Sequence, residues 1–474
     1  MKLMFVEPPK DVWFVMGEYL PPPLGILELA AYLEDKNPNL DIQVLDCQVE
    51  KVDWHDLKDR IQDEDPDVLI SSALSSCNTY SVLRALEIAK KIDTDIKTVV
   101  GGQHFTALAE ESLKMFPEID FIVRGEGEET LNHLIKSLIE KKPLTKVNGI
   151  SFKHDGKIIH NPNRPLIQNL DSLPLPGYHF VEDYMNKYHF KMMAGDVGYA
   201  LVEASRGCNY QCTFCSQWKH WQGKWRTKSP KRIAFEMEKL YNDYGSSFLW
   251  LTDDTLGNKS RVNGIAQEII NHGYKDDEIM WFAQARCDDI IKYDEVLANM
   301  RKSGNLWVMA GLERHDDATL DAFQKKTKPS QAKIAMDMLE DNGIFSQGTF
   351  IIGEFNDSKQ SINNLREFVN FVDPDLAIFM ILTPFPGTLL FEEASSKGWI
   401  EDSNWANYDM AHAIMPTKYL STQEVQRELY ECYRSFYGSM GRRLRGIFSR
   451  NVFKRKTYRY MASQGLLQSL RELF

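Results

Sequence analysis

Short apolar runs alternate with helical periodicity twice along this chain, and few folds accept that pattern. Over residues 1–145 the runs are 3–8, 42–46, 67–74, 97–102 and 120–125. They are apolar on both faces, as strands are when helices cover a parallel sheet on each side. Residues 146–195 break the rhythm with GKIIHNPNRP and DSLPLPGY, a small hairpin and a linker. From 199 six further runs follow, at 199–205, 247–251, 279–285, 306–311, 345–352 and 376–382. Helical stretches separate them. In 229–241, Ser229 and Pro230 form the N-cap and first turn, and Ile233, Met237, Leu240 and Tyr241 share a face. The expectation is an α/β chain. It has a doubly wound parallel sheet over 1–145, a linker over 146–195, a partial (β/α)6 barrel over 196–400 and a helical extension over 401–474. Ligands of both architectures bind at the carboxyl ends of the strands.

Composition narrows the function classes. With 43% hydrophobic and 26% charged residues among 474, the chain is an ordinary folded protein. A net charge of −11 argues against nucleic-acid binding through a basic surface. No apolar run reaches the length of a membrane helix, and MKLMFVEPPK lacks the apolar core of a signal peptide. The expected location is cytoplasmic.

Seven cysteines are too few and too irregular for a disulfide framework, but three crowd together in S-R-G-C-N-Y-Q-C-T-F-C. Cys208, Cys212 and Cys215 lie just after the first barrel strand, where barrel chemistry sits. Their thiolates can share one metal centre. A structural zinc would need a fourth ligand, and His220 is available. A cluster held by three cysteines leaves one iron open to a substrate.

The x3–x2 spacing with Phe214 before the last cysteine resembles the radical S-adenosylmethionine (SAM) superfamily. The resemblance implies a [4Fe–4S] cluster on Cys208, Cys212 and Cys215, with SAM chelating the fourth iron. It extends to Asp253 and Asp254 after the second strand, Arg286 after the third, Glu313 after the fourth, and Gly348 and Gly353 in the fifth. These are the expected SAM-binding positions, although each also has a plain reading as a turn acid, an ion pair or a bend. A doubly wound domain ahead of such a barrel resembles the cobalamin-dependent radical SAM enzymes, whose flavodoxin-like domain holds the corrinoid over the barrel mouth. The segments 21–30, 101–106 and 125–130 look like that domain's loops. The residues implied for cobalamin are Ser75, Ser76, Gly101, Gly102, His104, Gly125, Glu126, Gly127, Glu128 and Thr130. No Asp-x-His-x-x-Gly motif is present, so a histidine replacing the lower base is not supported, and the loop 75–78 would lie under the corrin. The alternative for this domain is a Rossmann-like fold without cofactor.

The resemblance implies methyl transfer from methylcobalamin to an unactivated carbon after a SAM-derived radical has removed a hydrogen. It also implies an external electron donor such as ferredoxin or flavodoxin. Family substrates include natural products, lipids, tetrapyrroles and protein side chains, among them glutamine or arginine of methyl-coenzyme M reductase. Oxidative cyclisation, as in the anaerobic magnesium-protoporphyrin monomethyl ester cyclase, is the alternative. A tRNA methylthiolating enzyme would carry three N-terminal cysteines, and only Cys47 and Cys77 precede the motif. A corrinoid sensor would not need the three clustered cysteines. No residue is singled out as a catalytic acid, base or nucleophile. Trp218, Trp221 and Trp225 either line the pocket or pack the barrel, and the loop 10–22 with Tyr19 is expected to reach the cavity. Arg442–Arg459 has eight basic residues and no acid. It reads as a packed helix, or as a dock for an acidic partner or membrane surface through Arg442, Arg443, Arg445 and Lys454.

Overall fold

The computed structural model describes residues 1–10, 19–195, 197–275 and 277–464. The first sheet contains β1 (Lys2–Glu7), β2 (Asp41–Asp46), β3 (Val68–Ser72), β4 (Lys97–Gly101) and β5 (Phe121–Val123). It continues with β6 (Ile150–His154) and β7 (Lys157–His160). Their spatial order is 2-1-3-4-5-6-7. The first five strands are parallel and in the flavodoxin-like order, with a topological switch between β1 and β3. Alternate side chains enter two separate cores. Met4, Val6, Leu69, Val100 and Ile122 enter one, and Leu3, Phe5, Val68, Ile70 and Val99 enter the other. That two-sided burial is why these strands read as unbroken apolar runs.

The hairpin assigned to the linker is the antiparallel edge of this sheet. Ile150 and Phe152 alternate inward onto the Val99–Phe121 core, and the Asn161 amide ties the return strand to the Leu144 and Val147 carbonyls. The remaining linker is fastened at both ends. Tyr188 donates to Asp46 of β2, and Tyr178 donates to the Leu201 carbonyl in the barrel.

The second sheet is entirely parallel. It runs in sequence order through β8 (Tyr199–Val202), β9 (Phe248–Leu251), β10 (Met280–Arg286), β11 (Asn305–Glu313), β12 (Phe345–Ile352) and β13 (Leu376–Ile381). Each crossover advances one strand in the same direction, which curls the sheet into an open barrel with β8 and β13 at its edges. The helix Thr422–Tyr437 covers the β13 edge. The Tyr433 hydroxyl accepts the Phe379 N–H and donates to its carbonyl, and Tyr437 does the same at Ala377. Two phenols thus take hydrogen bonds that a neighbouring strand would supply.

The basic C-terminal segment packs against the barrel floor. Phe453 meets Phe248, Trp307 and Phe345 at the strand N-termini. Arg442 forms two bonds to Asp373, and Lys454 pairs with Asp375, both carboxylates preceding β13. Arg443 donates to the Tyr437 carbonyl. The expectation that Arg442, Arg443 and Lys454 serve an outside partner is therefore corrected, because the fold itself uses them. Part of the loop 10–22, residues 11–18, lies outside the described residues, as do 465–474. Tyr19 enters the barrel and packs edge-on to Phe190, Tyr199 and Trp250. Among the described residues no helix is long and apolar enough to cross a membrane.

Candidate functional site

The carboxyl ends of the barrel strands face the carboxyl ends of the first sheet, and the cysteine loop lies between them. After β8 the chain makes a two-residue antiparallel pairing, Ser205–Arg206 with Arg226–Thr227, which pinches off a loop carrying the cysteines. Gly207 starts that loop at φ +89°, where any Cβ would be driven into the Lys224 carbonyl. Its far side is anchored to the barrel by Thr213, which donates to the Phe323 carbonyl and accepts from the Leu390 N–H. Phe214 meets Phe323 edge-on at 5.0 Å. The three tryptophans resolve as packing. Trp218 donates to the Cys212 carbonyl, Trp221 lies under Arg206 and Arg226, and Trp225 lies under Arg261.

The three thiols are within electrostatic reach of one another. Burial raises all of them, Cys215 to about 12. Several groups oppose that rise. The Tyr210 N–H points at the Cys208 sulfur, the Gln217 N–H points at that of Cys215, and Lys325 and Arg286 act on Cys212. Backbone donors aimed at sulfur are how proteins tune iron–sulfur clusters. Among the described residues no three His, Cys, Asp or Glu side chains converge tightly enough for a single metal ion. His220 packs on Trp221 and is held neutral by burial, down to about 4.

The expected SAM positions divide into two groups. Asp254 accepts the Gly207 N–H beside the cysteines, and burial with the Asp253 charge pushes it up to about 7. Asp253 is instead a strut, bonded to the Ala204 N–H and to Arg261. Arg286 lies over the Tyr210 ring at 3.5 Å, donating to Asp288 and to the Lys325 carbonyl. Glu313 sits at φ +61°, a costly conformation for a residue with a side chain. One of its oxygens pairs with Lys325 at 2.6 Å, while the other is buried without a hydrogen-bond partner. Gly348 is closed in by Leu312 and Phe350. Gly353 ends β12 at φ +84° with its N–H on Asp357.

Opposite this mouth are the loops of the first sheet. Ser76 and His104 share a 3.0 Å hydrogen bond, and burial holds His104 down to about 4. Ser75 precedes that turn in extended backbone. Gly101 ends β4, and a Cβ on Gly102 would strike the Ala73 carbonyl. Gly125 (φ +71°) faces open space. Leu74 is 71% exposed at the end of β3, and the Thr79 hydroxyl is buried without a partner close by.

Other expected cofactor residues have partners within the fold. Glu126 and Glu128 bind Arg206 at 3.0 and 2.6 Å, and Glu126 also binds Arg226 at 2.7 Å and the Ile167 N–H. Glu28 and Glu203 complete the group around Arg206, which is 3% exposed. Thr130 accepts from Arg164, and Gly127 backs onto Leu29. The carboxylates of the 125–130 loop thus form an ion-paired clasp between the two sheets. Burial, then the Glu203 charge, pushes Glu28 up to about 8, while Arg206 outweighs burial and holds Glu128 below its usual value. A second link is neutral, with Gln103 bonded to Gln217 and Ser216. Sequence reasoning named none of Arg206, Glu28, Gln103, Tyr210 or Lys325. The first four lie inside or beside quoted motifs, and Lys325 had no signal.

A family model described as B12 binding domain matches residues 15–135, and one described as Radical SAM superfamily matches 202–369. An uncharacterised methyltransferase of Pyrococcus horikoshii is 31% identical over 96% of both chains. The anaerobic magnesium-protoporphyrin IX monomethyl ester cyclase of Rubrivivax gelatinosus is 30% identical, covering 88% of this chain and 74% of the relative. The solved structure of OxsB, a cobalamin-dependent SAM radical enzyme with aqua-cobalamin and SAM bound, aligns at TM-score 0.74 and 17% identity. That alignment covers 100% of this chain and 72% of OxsB. With both domains matched in order and a relative aligned end to end, the chain belongs to the cobalamin-dependent radical SAM family, whose cofactors are cobalamin, SAM and a [4Fe–4S] cluster.

Proposed function

We propose that this enzyme methylates an unactivated carbon of its substrate at the mouth between the two sheets. The supporting observation is that the cysteine loop, with backbone N–H groups aimed at two of its three sulfurs, is bonded through Ser216 and Gln217 to Gln103, next to His104 at the carboxyl end of the first sheet. When bound, the cluster and SAM supply a carbon-centred radical and the corrinoid supplies the methyl group. Cys208, Cys212 and Cys215 would hold the cluster. Asp254 and the unpartnered Glu313 oxygen suit a cationic amino group, and Arg286 holds Tyr210 over the same space. Gly353 completes that side. Leu74, Ser75, Ser76, Gly101, Gly102, His104 and Gly125 would border the corrinoid, with the Thr79 hydroxyl free to bond it. The Arg206 clasp and the Gln103–Gln217 link keep the two halves in register and close the mouth to water. Seven free thiols suit a reducing, cytoplasmic setting with a ferredoxin- or flavodoxin-type donor.

The test is anaerobic turnover with SAM deuterated at its methyl group, followed by mass spectrometry of candidate substrates. Peptides bearing the glutamine or arginine of methyl-coenzyme M reductase form one arm, and lipids and natural products form the others. Transfer of the label to carbon supports the reading. A product lacking the label but carrying a new ring would favour the cyclase reading, for which the Rubrivivax relative speaks. Retained SAM cleavage in the Cys208, Cys212 and Cys215 triple alanine variant would remove the cluster assignment.

A further inference from the structure

The C-terminal helices carry a row of large apolar side chains that face solvent. Met440 and Leu444 lie four residues apart on the helix Met440–Ile447, and Phe448 caps it. Val452 begins the next helix, Val452–Gln464. Their exposures are 65, 50, 72 and 53%. Phe371, 65% exposed, lies two residues from Asp373, the carboxylate that Arg442 and Arg445 share. Burying such side chains at the surface of a folded domain requires something to cover them.

Charge indicates what that is. Arg442, Arg443 and Lys454 are used by the fold, but Arg445, Arg450, Lys456 and Arg459 are exposed around the row. Arg450, Lys456 and Arg459 have no carboxylate partner among the described residues, and Arg442–Arg459 contains no acid in a chain of net charge −11. Apolar side chains flanked by unpaired cations match an anionic lipid surface, where the first enter the acyl boundary and the second meet headgroups. An acidic electron-donor protein fits the position poorly. The row lies at the barrel floor, where Phe453 meets the strand N-termini, and the thiols lie at the mouth. The nine residues of β11 span eight rises and separate the two ends by roughly 26 Å at about 3.3 Å per residue.

We propose that this face docks the enzyme on an anionic membrane, a monotopic attachment that leaves the mouth and the corrinoid-side loops pointing away from the bilayer. This inference is independent of which substrate the enzyme methylates. The test is co-sedimentation of the full chain with vesicles of equal parts phosphatidylglycerol and phosphatidylcholine, against phosphatidylcholine alone, at low and high salt. The expected result is binding to the anionic vesicles that weakens with salt. Arg450→Gln and Lys456→Gln should each weaken partition about five-fold. Leu444→Ser with Phe448→Ser should weaken it at least as much, without changing uncoupled SAM cleavage, because none of these side chains touches the mouth. Absence of binding, or binding indifferent to these variants, overturns the proposal. So does a full-length dimer in light scattering that Leu444→Ser dissolves, since a second copy would then cover the row. Vesicle binding gained only after removing 465–474 also overturns it, assigning the row to the chain's own tail.

Discussion

Replacing Arg206 by Met should loosen the joint between the two halves more than any other single surface-neutral change. The Arg206 guanidinium spends its donors on four carboxylates: Glu203 at 2.7 Å, Glu128 at 2.6 Å, Glu126 at 3.0 Å and Glu28 at 3.5 Å. At an effective dielectric near 20, a charge pair about 4 Å apart is worth about 4 kcal/mol. Burying the guanidinium costs several kcal/mol, so the gross attraction is largely offset. Losing the cation alone strands buried carboxylates, and the expected loss is about 3–5 kcal/mol. The strain is unequal. Glu126 keeps Arg226 at 2.7 Å, whereas Glu128 loses its contacting cation. Coupling in a double-mutant cycle should therefore be strongest with Glu128→Gln, at about 2 kcal/mol. The assay is urea unfolding followed by tryptophan fluorescence, since Trp221 lies beneath both arginines. A loss below about 1 kcal/mol with no coupling to Glu128 would falsify the clasp.

Three further outcomes are expected. Glu28 is raised from 4.5 to about 8, so the folded state keeps a proton that the unfolded chain releases. Stability from this group falls as pH rises between those values and levels off above the upper one, and Glu28→Gln should flatten that slope in pH-dependent melts. Lys325→Met removes the buried cation acting on Cys212, so an anaerobic redox titration should find the reconstituted cluster harder to reduce, while an unchanged midpoint would deny Lys325 that role. Tyr433→Phe leaves the Phe379 N–H and carbonyl without their phenol and should cost about 1–3 kcal/mol in thermal or urea unfolding, and an unchanged stability would refute the strand-capping role of the phenol.

The local code determined much of this protein. Strand positions were legible because the central parallel strands are buried on both faces, so their hydrophobic runs need no knowledge of their neighbours. The cysteine spacing was legible because three thiols lie within eight residues of one loop, and Gly207 before them is demanded by its own backbone angle. What the chain brings together over long separations was not legible. Ile150 and Phe152 look like a linker hairpin until β5 supplies the edge they pair with. Glu126 and Glu128 look like loop acids at a cofactor until Arg206 and Arg226, 78 to 100 residues on, take them. Within the basic run 442–459, Arg442 and Lys454 look no different from the exposed Arg450 and Lys456 until Asp373 and Asp375 claim them. A charge carries no sequence signal of its partner, since an ion pair depends on distance and burial alone. Tertiary structure therefore decided which polar residues serve the fold and which are left for the site.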